Sequence, residues 1–333
     1  MRVVVYGAGA VGSVLGGLLS LQRHDVLLVC REAHANAIRD EGLRLRSATG
    51  DYEAHPDVAT ALDTSHLTED TIVLLTVKSY ATEAATEALA AVCDRALPVV
   101  CFQNGVGNEE IVAKHFEHIY SGICRMTCSA LQPGHASFRR LGRAVLGKYP
   151  RGSDATVREL AKVLEAADLD VSVSRNVMSD RWLKLAVNTQ SVFHAVVDPR
   201  DHEANEFFEL KARILEETGA ILKKARIAAK RSDGKDPNIG EMVDELRRPR
   251  ARRAGGGMKV HNSTWQDLYL HRPCVESPWF HQPLLDLARE HGVPAPYNET
   301  ALAIAVESQN AAAGPETLRL SEVLERIDKA AGV

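Results

Sequence analysis

The first thirty-one residues, MRVVVYGAGAVGSVLGGLLSLQRHDVLLVCR, constrain the fold more than any other stretch. An apolar run at 3–6 leads into Gly7, Gly9 and Gly12, spaced G-x-G-x-x-G; an apolar helical stretch and a second apolar run at 26–30 follow. The order predicts strand, tight turn, helix, strand. Glycine suits the first position because the turn is tight. It suits the second because a pyrophosphate must approach the backbone, and the third because helix and strand pack closely. A helix opening at Ala10 would point its free N–H groups and positive dipole end at that pyrophosphate. Gly7, Ala8, Gly9, Ala10, Val11 and Gly12 are thus the candidate dinucleotide cradle. The alternative is a glycine-rich turn of an ordinary βα unit.

The end of the second strand bears on which dinucleotide. A carboxylate there would bond a ribose 2′-hydroxyl, whereas Arg31 suits a 2′-phosphate because a guanidinium fork matches phosphate oxygens. Glu32 follows directly, so the residues favour NADPH and leave NADH open.

Size and charge exclude several classes. A chain of 333 residues has room for two domains and a large core, and its 45% hydrophobic and 25% charged content is that of a globular protein. A net charge of −4 gives no global field for nucleic acid or an anionic membrane. The N-terminal stretch reads as a structural strand rather than a secretory signal, and no apolar run is long enough to span a membrane. The six scattered cysteines form no disulfide framework, which favours a reducing, cytoplasmic setting. Cys124 and Cys128, with His115 and His118, lack the remaining ligands of a zinc site, so no metal is expected.

Along the chain, a helix is predicted over 33–41 and short extended pieces around residues 43–58. An apolar strand at 71–77 ends in Lys78, a helix covers 82–93, and a strand at 98–102 ends in Gln103-Asn104-Gly105. Such alternation predicts a parallel sheet covered on both faces, with ligands at the carboxyl ends of the strands. The glycine turn, Arg31, Lys78 and Asn104 all fall at such ends. Strands at 121–130, 136–140 and 144–146 would complete the sheet in a mixed manner. After a helix at 155–167 and a strand at 171–173, the chain reads as helical. Helices are predicted over 177–197, 205–230, 238–247, 278–291 and 301–308. The expected class is therefore α/β, with a Rossmann-type dinucleotide-binding domain over 1–175 and an all-helical domain over 176–333. The helical half could pair with a second copy as a homodimer. Five arginines at 247–253, followed by three glycines, read as a solvated loop, with phosphate or substrate binding as alternatives.

Within the helical half, Lys184 and Asn188 are four residues apart and share a helix face in apolar surroundings. That lysine either snorkels from a core face or is presented into a cleft.

The ordered motifs GAGAVG, TVKSY at 76–80, QNGVGNEE at 103–110, WLKLAVN at 182–188 and NSTWQD at 262–267 resemble the ketopantoate reductase family. Arg272-Pro273, Glu276 and the stretch AREHGVP at 288–294 extend the likeness to about residue 300. This resemblance implies an NADPH-dependent 2-dehydropantoate 2-reductase of pantothenate biosynthesis, in which a Rossmann-type and a helical domain flank the active site. It implies that Lys184 protonates the keto oxygen as hydride arrives, with Glu276 near substrate and lysine. Asn188 and Ser263 would contact substrate, Lys78 and Asn104 would line the cofactor and substrate cleft, and Arg31 would hold the 2′-phosphate. An ammonium stabilises the negative charge that builds on a ketone oxygen; burial would lower its pKa and a nearby carboxylate would oppose that shift.

The sequence also departs from the family pattern. Val192, followed by Phe193-His194, stands where the family has a second asparagine, and Glu276 leads into Ser277-Pro278-Trp279-Phe280-His281-Gln282 rather than the family's Glu-Ile-Asp-Tyr. A one-residue insertion between Ser263 and Glu276 brings Glu276 into register. Lost polar partners imply an altered substrate. A same-fold oxidoreductase for another 2-keto or 2-hydroxy acid, or a dinucleotide-binding protein without turnover, are the alternatives.

Overall fold

The computed structural model describes residues 1–139, 142–231, 234, 237–248 and 260–332. Contacts divide the chain into two compact units, Met1–Met178 and a second that begins at Ser179.

The first unit runs β1 (Arg2–Tyr6), α1 (Ala10–Leu21), β2 (Val26–Val29), α2 (Glu32–Glu41), β3 (Leu43–Ser47), β4 (Gly50–Ala54), β5 (Asp57–Ala59), β6 (Thr71–Leu75), α3 (Thr82–Ala90) and β7 (Val99–Cys101). It continues with α4 (Asn108–Val112), β8 (Ile119–Cys124), β9 (Cys128–Ser129), β10 (His135–Phe138), β11 (Arg143–Lys148), α5 (Ala155–Glu165) and β12 (Asp170–Val173). The main sheet has the order β12-β11-β8-β7-β6-β1-β2-β5. Its strands are parallel from β5 to β8, after which β11 runs antiparallel to β8 and β12 parallel to β11. Strands β2, β6, β7 and β8 are buried at every position, because helices cover both faces. Alternation sorts the side chains: Val3 and Val5 pack with Val14, Leu15 and Leu19 of α1 on one face, while Val4 packs with Leu89 of α3 and Val112 of α4 on the other.

The segment expected to finish the sheet divides between two sheets. β8 and β11 extend the main one, but β9 and β10 join β3 and β4 in a separate four-stranded sheet of order β4-β3-β10-β9. Leu43, Leu45, Ala136 and Phe138 of this small sheet share the core that holds α1. The predicted strand at 121–130 was therefore two strands, each serving a different sheet.

The second unit is helical: α6 (Val177–Asn188, whose first turn lies at the boundary), α7 (Ser191–Val196), α8 (Asn205–Lys224), α9 (Ile239–Arg247), α10 (Ser263–Tyr269), α11 (Ser277–His291), α12 (Pro296–Asn310) and α13 (Leu320–Ala331). The predicted helix over 177–197 breaks after Asn188. There the Thr189 hydroxyl donates to the Ala186 carbonyl at 2.7 Å and the Ser191 hydroxyl to the Asn188 carbonyl at 2.6 Å, so side chains compete with the backbone ladder. Val192, Phe193, Phe207, Leu210, Ile304 and Val323 form the core of this unit. Of the arginine-rich stretch, Arg247 bridges Glu209 and Glu216 of α8, and Arg248 pairs with Glu245; residues 249–257 lie outside the described residues. No described helix is long and apolar enough to cross a membrane.

Candidate active site

In the first unit, four neighbouring parallel strands end in the residues singled out above. In sheet order, β2 leads to Arg31, β1 to Gly7, β6 to Lys78 and β7 to Asn104. The turn after β1 is pinned to its neighbour, as the Gly7 and Ala8 N–H groups both donate to the Val29 carbonyl, at 2.9 and 3.0 Å.

The three glycines differ in what surrounds them. Gly7 has φ +100°, and a Cβ there would lie 2.5–2.9 Å from Val77. A Cβ on Gly12 would lie 2.5 Å from Thr76 Oγ1 and 2.9 Å from Val5 Cγ1, so helix α1 can approach the sheet only without it. Gly9 is exposed, and a Cβ there would meet only the Gly7 carbonyl oxygen, at 3.9 Å. The protein's own packing therefore demands glycine at 7 and 12 but not at 9. Space is left where a pyrophosphate would need the backbone bare. Gly9 is the N-cap of α1; no side chain caps it, and the first turn carries no acidic residue. The first N–H groups of a helix have no partner within it, so this end suits an anion. These residues fit a dinucleotide.

Arg31 is exposed at the N-cap of α2, and its side chain makes no hydrogen bond or ion pair among the described residues. The preceding Cys30 thiol is pushed up to about 11 by burial, which keeps it neutral. Lys78 and Asn104 are half-buried, and the Asn104 carbonyl belongs to a polar network. Ser79 Oγ donates to the Asn104 carbonyl at 2.9 Å, and Asn108 Nδ2 donates to the same carbonyl at 3.1 Å. Thr82 Oγ1 donates to Asn108 Oδ1 and accepts from Gln103 Nε2, both at 2.7 Å. Hence the loops that follow β6 and β7 are tied together. Ser79, Thr82 and Asn108 were not singled out from the sequence; short polar residues flanking strand ends were the available signal.

In the second unit, Lys184 and Asn188 lie half-buried on α6, between the fully buried Leu183, Leu185 and Ala186. Asn188 Nδ2 is buried without a hydrogen-bond partner among the described residues. An orphaned buried amide costs about 1–3 kcal/mol, which a bound acceptor would relieve. Ser263 begins α10 and is half-buried. Asn262, just before it, caps that helix by accepting from Trp265 N–H at 2.9 Å, and its Nδ2 donates to the Ser191 carbonyl at 3.0 Å. Asn262 thereby joins the start of α7, three residues past Asn188, to the Ser263 end of α10. The sequence offers it only as the first residue of the NSTWQD motif, although an asparagine before Ser-Thr-Trp is a cap signal. Glu276 is 2% exposed and stands at the N-cap of α11. Val192 is fully buried in the apolar core.

Residues 3–151 match the family model described as Ketopantoate reductase PanE/ApbA, and residues 176–309 match Ketopantoate reductase PanE/ApbA C terminal. The 2-dehydropantoate 2-reductase of Pyrococcus abyssi is 30% identical over 225 residues, 68% of this chain and 70% of that protein. That of Halobacterium salinarum is 29% identical over 305 residues, 90% of this chain and 96% of that protein. Among solved structures, a PanE/ApbA family ketopantoate reductase from Ralstonia eutropha superposes with a TM-score of 0.75 at 24% identity, covering 94% of this chain and 99% of that one. D-mandelate dehydrogenase with NADH and anilino(oxo)acetate superposes at 0.78 with 18% identity, covering 94% and 100%. The structural likenesses bear on fold; the matched family models and the Pyrococcus relative show that the chain belongs to the ketopantoate reductase family of oxidoreductases.

Proposed function

We propose that the chain reduces a 2-keto acid with NADPH, 2-dehydropantoate to pantoate being the first reaction to assign to it, as a step of pantothenate biosynthesis. In this reading residues 1–175 are the NADP-binding domain and residues 176–333 the helical domain that binds substrate and supplies the proton. The observation that carries it is the face of α6. A lysine, in a reductase family, stands one helical turn from an asparagine whose amide nitrogen is buried without a partner among the described residues.

When bound, the cofactor supplies the hydride that reaches the keto carbon. The cradle of Gly7, Ala8, Gly9, Ala10, Val11 and Gly12 would hold the pyrophosphate: the Gly7, Ala8 and Gly9 N–H groups are spent on shaping the turn, which leaves the N–H groups of the first turn of α1, from Ala10 to Gly12, to meet it, and Arg31 would take the 2′-phosphate. Lys78 and Asn104 would line the place of cofactor and substrate. Asn188 and Ser263 bond the substrate's polar groups. The Lys184 ammonium meets the negative charge growing on the keto oxygen and gives it a proton, which solvent then replaces. Glu276 supplies the carboxylate that keeps the lysine protonated until that transfer.

The test is Lys184→Ala. The expected result is a fall in kcat of about 10²–10⁴-fold with the NADP⁺ dissociation constant unchanged. A variant that turns over at the wild-type rate would remove the lysine from the mechanism. A second reading, a different 2-keto acid on the same machinery, is favoured by the burial of Val192 in the apolar core, where it offers a substrate no hydrogen bond.

A further inference from the structure

The peptide between Ala8 and Gly9 is held at both ends. Gly9 N–H donates to the Gly7 carbonyl at 2.6 Å, and the Ala8 carbonyl accepts from Ser13 Oγ at 3.1 Å. Ser13 is fully buried on α1, and its oxygen lies 3.0 Å from His34 Nε2. On the other side of the ring, His34 Nδ1 accepts from the Gly134 N–H at 2.9 Å. A backbone N–H only donates, so Nδ1 must carry the lone pair and Nε2 the proton. That fixes every direction: Gly134 N–H to His34, His34 to Ser13, and Ser13 to the Ala8 carbonyl. Gly134 lies in the turn between β9 and β10 with φ +72°, and a Cβ there would lie 3.0 Å from the Ala37 Cβ of α2, so this turn rests directly on α2.

We infer that His34 is a positioning residue for the dinucleotide cradle, setting the Ala8–Gly9 peptide through Ser13 and so aiming the N–H groups that meet the pyrophosphate. The inference rests on the dinucleotide reading given above. The relay works only with neutral imidazole, since a protonated ring has no acceptor for Gly134 N–H. Arg31 at the start of α2 and His135 on β10 are the charged and titratable groups that face the ring. Burial, Arg31 and His135 together hold its pKa below the usual histidine value. The relay is therefore intact near neutral pH and opens in acid.

The experiment measures NADP⁺ affinity by titration calorimetry in the wild type, His34→Leu, His34→Gln and Ser13→Ala. A glutamine has an oxygen acceptor and an amide donor spaced much like the two ring nitrogens, and it does not titrate. Cutting the relay with His34→Leu or Ser13→Ala should weaken NADP⁺ by about tenfold, the worth of one hydrogen bond. His34→Gln should stay within about twofold of wild type at neutral pH and lose less affinity than wild type on acidification, the protonation of the 2′-phosphate being common to both. A folded His34→Leu that binds NADP⁺ as tightly as wild type would overturn the inference. So would a His34→Gln variant as weak as His34→Leu or as pH-dependent as wild type. If His34→Leu does not fold, Ser13→Ala cuts the same chain by removing one oxygen and decides alone. A wild type that binds neither NADP⁺ nor NAD⁺ would remove the dinucleotide reading itself, and the role of His34 with it.

Discussion

The glycine turn and the α6 face place their chemistry in different ways. The turn is local: Gly7, Gly9, Gly12 and Arg31 all lie within the first thirty-one residues, and one strand-turn-helix-strand unit presents them. The second unit collects its candidates from Lys184 and Asn188 on α6, Ser263 on α10 and Glu276 on α11, and holds them by bridges such as Asn262 to Ser191. A local site is specified by backbone shape, so its residues are those that shape tolerates. A dispersed site is specified by packing, and its residues can be exchanged one at a time. The substitution pattern fits this difference. The turn keeps every glycine its geometry needs, while Val192 has gone over to the core.

The glycines give the largest test of that contrast. Gly7→Ala places a Cβ against Val77 at a positive φ and should destabilise the protein by about 2–4 kcal/mol, measured by denaturant unfolding. Gly9→Ala has open space and should change stability by no more than about 0.5 kcal/mol, yet weaken NADP⁺ by about tenfold or more. Equal stability losses at both positions would deny that Gly9 is kept open for a ligand. Next comes Arg31→Ala. A charge-assisted hydrogen bond is worth about 1.5–3 kcal/mol, so NADP⁺ should weaken by about 10–100-fold while NAD⁺ is nearly unaffected. Parallel losses for the two dinucleotides would reject a 2′-phosphate role.

In the second unit, Asn188→Ala should raise the KM for the 2-keto acid by about tenfold with NADP⁺ affinity unchanged. Because it removes an orphaned buried amide, it should cost the free protein little stability. A large stability loss would show that the amide is satisfied within the fold. The smallest effect concerns pH. Burial lowers His194 to about 3 and His281 to about 4, and both lie in the second unit. Their unfolded forms take up protons below the ordinary histidine value near 6.5, whereas the folded forms do not. Stability should thus be full above that value and decline as pH falls toward the folded values, by about 1 kcal/mol per histidine between about pH 6.5 and 5.5. A flat unfolding profile over that window would mean these rings are accessible to protons in the folded state.

Sequence patterns made the first unit readable because each signal was short-range. Apolar runs bounded by glycine or polar residues marked β1, β2, β6 and β7, and the strand ends marked Arg31, Lys78 and Asn104. What escaped depended on partners distant in the chain. The stretch from 121 to 130 reads as one strand, and only the presence of β3 and β4 diverts β9 and β10 into a second sheet. The break after Asn188 comes from the Thr189 and Ser191 hydroxyls, whose choice of carbonyl over solvent is a local competition that apolar periodicity does not register. Helix α10 is only seven residues long, too short for its pattern to stand out. Helix α13 does carry a readable signal, Leu320, Val323 and Ile327 buried at helical spacing behind a Glu322 carboxylate that accepts from the Arg319 N–H at 2.6 Å, but it lies beyond the last motif of the family likeness. His34 could be seen as a residue but not as a link, because Gly134, its donor, is one hundred positions away.

The central claim is that both units serve one reduction, and the most direct measurement of it is cofactor oxidation with 2-dehydropantoate and a panel of other 2-keto acids, NADPH and NADH in parallel. The account predicts NADPH consumption matched mole for mole by the 2-hydroxy acid, and faster than with NADH. No consumption above the buffer rate with any 2-keto acid would contradict it.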